Sequence, residues 1–325
     1  MNKAGKYLLL ILCLILSIAI ALFIGAQKIS ILAFLQGNLK RFERVILFDI
    51  RLPRILLCIL CGALLGGAGA VFQGFFRNPL ADSGILGISA GATLGALVSG
   101  LLPFTSFLTF KYLSPVSIFA FIGGLGAGAL VFIFSLILHR NSSVTLLLAG
   151  TAIGTFLSSV CSILLMVRQK DLHSIYAWTM GSFNGKGWDE FYFLIIPAIV
   201  ALILLLLCAK NLNVLGSGEK TAVSLGLNLS ATKIFVLISG SLATSCAVCA
   251  GGIISFVGLI SPHIIRKLFG SDHHKLIPLS MIGGAILLLL ADSLARTVIA
   301  PSEIPVGIIT SLIGVPFFII VLKKD

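Results

Sequence analysis

Long apolar stretches separated by short polar breaks run along all 325 residues. A helix needs about 20 apolar residues to cross a bilayer, and the breaks fall at roughly that spacing. Ten spans are predicted, at 7–26, 51–73, 84–101, 116–138, 144–166, 190–208, 232–251, 253–268, 275–297 and 303–322. The eighth is short, and the split after Gly252 is the least marked boundary. An even number of spans puts both termini on one side. Lys3 and Lys6 before the first span and Lys323-Lys324 after the last make that side cytoplasmic by the positive-inside rule. The first apolar run, Tyr7 to Gly25, is long for a signal peptide and lacks a small-x-small cleavage site, so it reads as a retained helix.

The stretch from Arg51 to Gly95 organises the rest. An Arg51-Leu-Pro-Arg54 cluster stands before an apolar, glycine-rich run. A polar knot, Arg77-Asn78-Pro79-Leu80-Ala81-Asp82, follows, and then a second such run. The runs read as two membrane helices and the knot as the inner turn between them.

Composition agrees. The chain is 58% hydrophobic and 10% charged, where a soluble domain carries about 25% charged residues, and its mean hydropathy is +1.14. No linker or repeat divides it, so 1–325 is expected to form one all-α, polytopic membrane domain. All seven cysteines lie inside apolar runs. Two Cys-x-x-Cys pairs suggest a metal, but no His or carboxylate completes either one, and buried cysteine behaves as a small hydrophobe. No metal site is expected. The histidines His263, His273 and His274 read as structural. Trp178 and Trp188 fall in the outer loop from Arg168 to Glu190, where interfacial tryptophans belong.

Net charge is +12, with the basic residues scattered among loops rather than gathered on one face. Nucleic acid is therefore not an expected partner; membrane lipid is. The outer segments are unusually basic, with Lys40, Arg41, Arg44, Arg51, Arg54 and Arg296 among their residues. Such a surface attracts an acidic protein or an anionic solute, or else its side chains snorkel to headgroups. The only long inner segment runs from about 210 to 231. Glu219 to Leu225 suits a short helix stopped by Gly226, either a docking element or a plain connector.

Candidate chemistry is sparse. Gly216-Ser217-Gly218-Glu219-Lys220-Thr221 imitates the end of a phosphate loop, but Glu219 stands where glycine belongs and no strand precedes it. The chain itself is therefore expected to bind neither ATP nor Mg and to have no catalytic residue. Carboxylates near the midplane, the usual mark of ion-coupled carriers, are nearly absent. Asp292 reads as an intrahelical partner of Arg296, four residues on. In the fifth span Thr151, Thr155, Ser158, Ser159 and Ser162 share one helical face. Such a stripe either lines a weakly polar path or bonds its own backbone.

Taken together, the motifs resemble those of the FecCD-type permease family, the membrane subunits of binding-protein-dependent ABC importers for iron chelates and vitamin B12. The resemblance spans about residues 45 to 324. Its marks are Arg51-Leu-Pro-Arg54, Gly62–Gly66, Gln73, Arg77–Asp82, Leu86–Gly91, Trp178–Gly181, Ala222–Gly226, Phe256–His263, Arg266, Ala291-Asp292, Arg296, Glu303–Gly307 and Gly314–Phe317. It implies a type II importer fold of ten helices in a bacterial inner membrane. It also implies a second permease copy or close paralogue, two ATPase subunits that bind ATP and Mg, and an extracytoplasmic solute-binding protein. Arg51, Arg54 and Arg296 match the docking arginines of such permeases. Glu219, Ala222, Leu225 and Gly226 match the coupling element seated in the ATPase. The fifth and tenth helices are implied to line the path, which places the hydroxyl stripe on it. Ser142 and Ser143 fall at the cytoplasmic gate. The expected function is ATP-driven import of an iron chelate, siderophore or haem, by alternating access. Import of vitamin B12 is the alternative, and a stand-alone secondary carrier is the competing class.

Overall fold

A computed structural model describes residues 3–25, 27, 29–102, 114–137, 143–167 and 178–323. Every described regular element is helical. Each of the ten predicted spans contains a helix: α1 Lys3–Phe23, α4 Leu52–Phe76, α5 Ile88–Leu101, α6 Pro115–Ile137, α7 Ser143–Val167, α8 Trp188–Leu207, α11 Leu229–Gly251, α12 Val257–Phe269, α13 His273–Ala295 and α14 Val306–Leu322. Between them lie the short helices α2 Ile31–Leu35, α3 Arg41–Arg44, α9 Ala209–Leu215 and α10 Glu219–Ser224. Seven described helical stretches are long and apolar enough to cross a bilayer. At about 1.5 Å per residue, α5, α12 and α14 reach only part of the way. The weakly marked split after Gly252 is present, because Gly252 adopts φ 70° and ends α11.

Two boundaries differ from the sequence expectation. The second span begins ten residues early, at Arg41. The Glu43 carboxylate accepts the Lys40 backbone N–H at 2.8 Å and starts α3. A π-helical segment, Val45–Arg51, joins α3 to α4 without a break. The inner loop is also shorter than expected. Lys210 to Leu215 are helical in α9, which leaves 216–228 for the turn and α10.

The helix α4 is the axis of the bundle. It packs on α13, α11, α12 and α8. Its apolar window is 78% buried, against 11% for α1. Close packing requires small residues where backbones meet. Gly62 lies against the backbone of Gly284 on α13, and Gly66 against that of Ser280. The helix stops at Arg77, whose φ of 49° is left-handed. The knot then turns sharply: the Leu80 N–H donates to the Asn78 side chain at 2.9 Å and the Ala81 N–H to the Asn78 carbonyl at 3.1 Å. Pro79 pre-sets the turn.

The alternating helices give the bundle two ends. One carries Arg51, Arg54, Arg296 and Glu303. The other carries the knot, α9, α10 and the start of α13.

Candidate functional site

At the arginine end, four charged side chains form one buried network. Arg54 grips Asp292 in a fork, with Nη2 at 2.8 Å and Nε at 3.1 Å from Oδ1. Its other amine reaches the Glu303 carboxylate at 2.9 Å. Arg296 Nε lies 3.0 Å from the second Asp292 oxygen, so the intrahelical pair expected from spacing is present. Arg296 also donates to the Ala21 carbonyl of α1 at 3.2 Å. Arg51 donates to the carbonyls of Leu22, at 2.6 Å, and of Gln27. The network thus ties α1, α4, α13 and the segment before α14 together. Asp292 is 0% exposed, and Arg51, Arg54 and Arg296 are 5–6% exposed.

This burial corrects the expected placement of the three arginines on an open outer surface. Their guanidinium donors are committed to carbonyls and carboxylates inside the chain. The exposed cations of this end among the described residues are Lys40, Arg41 and Arg44. Trp188, expected as an interfacial side chain, also has a fixed partner: its Nε1 donates to the Phe48 carbonyl at 3.0 Å, joining α8 to the π-helical segment.

The hydroxyl stripe lies on the exposed side of α7. Thr151, Thr155, Ser158, Ser159 and Ser162 are all exposed. Four of them also bond the preceding turn: Thr151 Oγ1 donates to the Leu148 carbonyl, Thr155 to Thr151, Ser159 to Thr155 and Ser162 to Ser158, at 2.8–3.0 Å. Backbone bonding, one of the two alternatives left open by spacing, is therefore present in four of the five residues, and all five are exposed. Thr151, Thr155 and Ser158 line a cleft of about 590 Å³ with Ser89, Thr93 and Ile253. Ser159 and Ser162 lie outside its wall. A second cleft, of about 580 Å³, is lined by Thr179, Ser255, Ser311, Leu312 and again Ile253. Ile253 therefore borders two open clefts, one on α7 and one on α14. Sequence reasoning missed it. Its signal was the break in helical pattern at Gly251-Gly252, which leaves a short non-helical segment inside the bundle. Ser142 and the side chain of Ser143 lie outside the described residues.

At the opposite end, α10 is the expected short helix. The Leu227 N–H reaches the Ala222 carbonyl at 3.0 Å and the Gly226 N–H reaches the Val223 carbonyl at 2.9 Å. That pair of bonds is a Schellman stop, with Gly226 at φ 85°. Ala222 is 0% exposed, whereas Val223 and Leu225 are 52% and 68% exposed. The helix is anchored by alanine and presents two apolar side chains outward. Glu219 lies 3.4 Å from Arg77, which links α10 to the knot. Asn213 links α9 to α13: its Nδ2 donates to Asp272 at 2.8 Å, and its Oδ1 accepts the His273 N–H at 2.8 Å. That Asn213 bond, with the His274 backbone N–H, holds the Asp272 carboxyl below the usual carboxylate range. Folding is stabilised by this link above the ordinary carboxylate pKa, and the contribution is lost as pH falls through the lowered one. Replacing Gly226 by valine is expected to cost about 1–2 kcal/mol through the left-handed backbone alone. Amide exchange across 219–227 should speed up by about 5- to 30-fold. Unchanged exchange would remove the Schellman stop as the reason for glycine here.

The model of the FecCD transport family matches residues 10–324 of the chain. The chain is 38% identical to the hemin transport system permease protein HmuU of Yersinia pestis, over 98% of this chain and 94% of HmuU. It is 39% identical to the cobalamin import system permease protein BtuC of Halobacterium salinarum, over 92% of this chain and 79% of that protein. A solved structure described as a metal-chelate type ABC transporter in an inward-facing conformation superposes with a TM-score of 0.86 at 33% identity, covering 99% of this chain and 100% of the other.

Proposed function

The chain belongs to the FecCD transport family as an ABC importer permease, and from that premise we propose that it carries an iron chelate, siderophore or haem, inward across the cytoplasmic membrane by alternating access. In this reading the arginine end faces outward and the α10 end faces the cytoplasm. Two copies, or this chain and a close paralogue, face each other across the clefts of α7 and α14. The solute passes between them along Thr151, Thr155, Ser158, Ser159 and Ser162, with Ser142 and Ser143 at the cytoplasmic gate. Exposed hydroxyls already bonded to backbone offer weak contacts, which suit passage better than tight binding.

An extracytoplasmic solute-binding protein docks at the arginine end. Lys40, Arg41 and Arg44 meet its acidic residues, which mainly sets orientation and on-rate. Arg51, Arg54 and Arg296 act beneath them, holding the helix ends in register. Two partner ATPase subunits bind ATP and Mg, and hydrolysis belongs to them. Glu219, Ala222, Leu225 and Gly226 form the element they move.

The observation that carries this reading is α10, a capped helix with a buried anchor and two exposed apolar side chains. A connector in water has no reason to present Val223 and Leu225. Its test is the pair Val223→Glu and Leu225→Glu in the permease–ATPase complex. Either should weaken assembly by tenfold or more, about 1.4 kcal/mol, while the isolated permease keeps its thermal stability. Undiminished assembly would refute the coupling role.

Cobalamin is the second candidate solute, favoured by the likeness to the Halobacterium permease. Uptake of labelled haem, ferric siderophore and cobalamin by the reconstituted importer separates them. A stand-alone carrier finds little support, since Asp292 is committed to two arginines. Transport by the purified chain in liposomes without ATPase would restore it.

A further inference from the structure

At the α10 end, a cleft of about 410 Å³ opens between the last turns of α4 and α12 and the start of α13. Gln73, Arg77, Arg266, Lys267 and His273 contribute to its wall. Three cations thus share one cleft. Arg77 has a partial partner in Glu219 at 3.4 Å. Arg266 and Lys267 form no ion pair among the described residues, and Arg266 is partly buried. A lysine in the last turn of α12 is accounted for by the helix dipole. Three converging cations are not, because like charges repel and a half-buried unpaired guanidinium loses hydration. The wall is short of negative charge.

Gln73 narrows the chemistry. Its Nε2 faces the carbonyls of Gly258 and Leu259 at 3.4 and 3.3 Å. Those two acceptors fix the amide orientation, since a flip would oppose three oxygen atoms. Gln73 Oε1 is consequently the atom left over, buried and with no donor among the described residues. The cleft wall combines cationic donors with two bare acceptors among the described residues, Gln73 Oε1 and His273 Nε2, whose Nδ1 is engaged with the Asn213 side-chain oxygen. A fully ionised oxyanion satisfies only the first. A ligand with both an ionised phosphate and a hydroxyl satisfies both.

We propose that this cleft binds a phosphate ester carrying free hydroxyl groups, the chemistry of a phosphatidylglycerol headgroup. The phosphate lies among Arg77, Arg266 and Lys267, and a glycerol hydroxyl donates to Gln73. The position suits a lipid, because Arg77 and Lys267 stand at helix ends, where headgroups lie and where basic clefts between membrane helices collect anionic lipids. The Arg77–Glu219 contact puts such a lipid next to α10. A soluble glycerophosphate offers the same chemistry without the chains.

The test uses the full chain in phosphatidylcholine nanodiscs. Phosphatidylglycerol, phosphatidylserine, or soluble glycerol 3-phosphate is added, and the thermal midpoint and lipid retained in native mass spectra are read. The expected result is selective retention of phosphatidylglycerol, weakened about tenfold in Lys267→Gln and abolished in Arg266→Gln/Lys267→Gln. Lys267 is exposed, so its single variant keeps the fold. A midpoint shift from glycerol 3-phosphate, also lost in Lys267→Gln, supports the same site with a soluble source. Equal retention of phosphatidylserine overturns the hydroxyl requirement and with it the proposal. So does equal behaviour of wild type and Lys267→Gln toward every ligand. None of these outcomes depends on transport or on the ATPase, so failure here leaves the importer reading intact.

Discussion

Asp292→Ala is expected to destabilise the chain by about 3–5 kcal/mol, the cost of breaking a buried ion pair from one side. The carboxylate is 0% exposed and lies at 2.8 Å from Arg54 and 3.0 Å from Arg296. Removing it strands two guanidinium groups that are themselves about 6% exposed. Glu303 can keep one contact with Arg54 but does not reach both arginines in the structure. The effect should therefore exceed that of Glu303→Ala, whose carboxylate is partly exposed and which leaves the Arg54–Asp292 fork whole. Equilibrium unfolding in mixed micelles measures both variants. A loss below about 1 kcal/mol for Asp292→Ala would place the network in the class of surface pairs and remove it as the clamp of this end. The same clamp explains why three arginines sit in an apolar bundle at all. Each guanidinium carries five donors, and the carbonyls of Ala21, Leu22 and Gln27 together with two carboxylates take up many of them.

Gly69→Leu should be nearly as damaging. A β-carbon at Gly69 would fall within the backbone of Gly258 on α12. Overpacking a core costs about 1–3 kcal/mol and occasionally more. The upper end applies here, because the obstacle is a peptide group, not a side chain that can swing away. Separating α4 from α12 would also pull Gln73 from the Gly258 and Leu259 carbonyls. The expected outcome is loss of the monodisperse peak in detergent size exclusion. Gly126→Leu is the control, since nothing lies within 4 Å of its β-carbon; it should elute as wild type. Two matching profiles would mean that α4 and α12 can part without loss, contrary to the packing described.

Several features are legible in the amino-acid sequence alone. Apolar length marks the ten spans, because a bilayer demands that each crossing satisfy its backbone internally. The short helix at Glu219 and its stop at Gly226 follow from local rules, since capping depends on a few neighbouring residues. The Asp292–Arg296 pair follows from helical spacing. What spacing misjudges is exposure. Arg51 and Arg54 read as surface residues because they stand at the edge of an apolar run. Nothing local shows that Asp292, 238 residues away, comes to meet Arg54, or that the carbonyls of Leu22 and Gln27 take up Arg51. The start of α3 is missed for a related reason. The charges of Arg41, Glu43 and Arg44 break the hydropathy pattern without breaking the helix.

The membrane architecture, the short helix at Glu219 and the hydroxyl face of α7 are thus written in the chain, because each depends on periodicity or on contacts within one turn. Tertiary packing settles the rest: which arginines are exposed and which are bound, which residue borders both clefts, and which cations lack an ion-pair partner among the described residues. Those properties depend on contacts between residues far apart in the chain. Burial and pairing are set by how α4 is enclosed by α8, α11, α12 and α13, and no single helix carries that information.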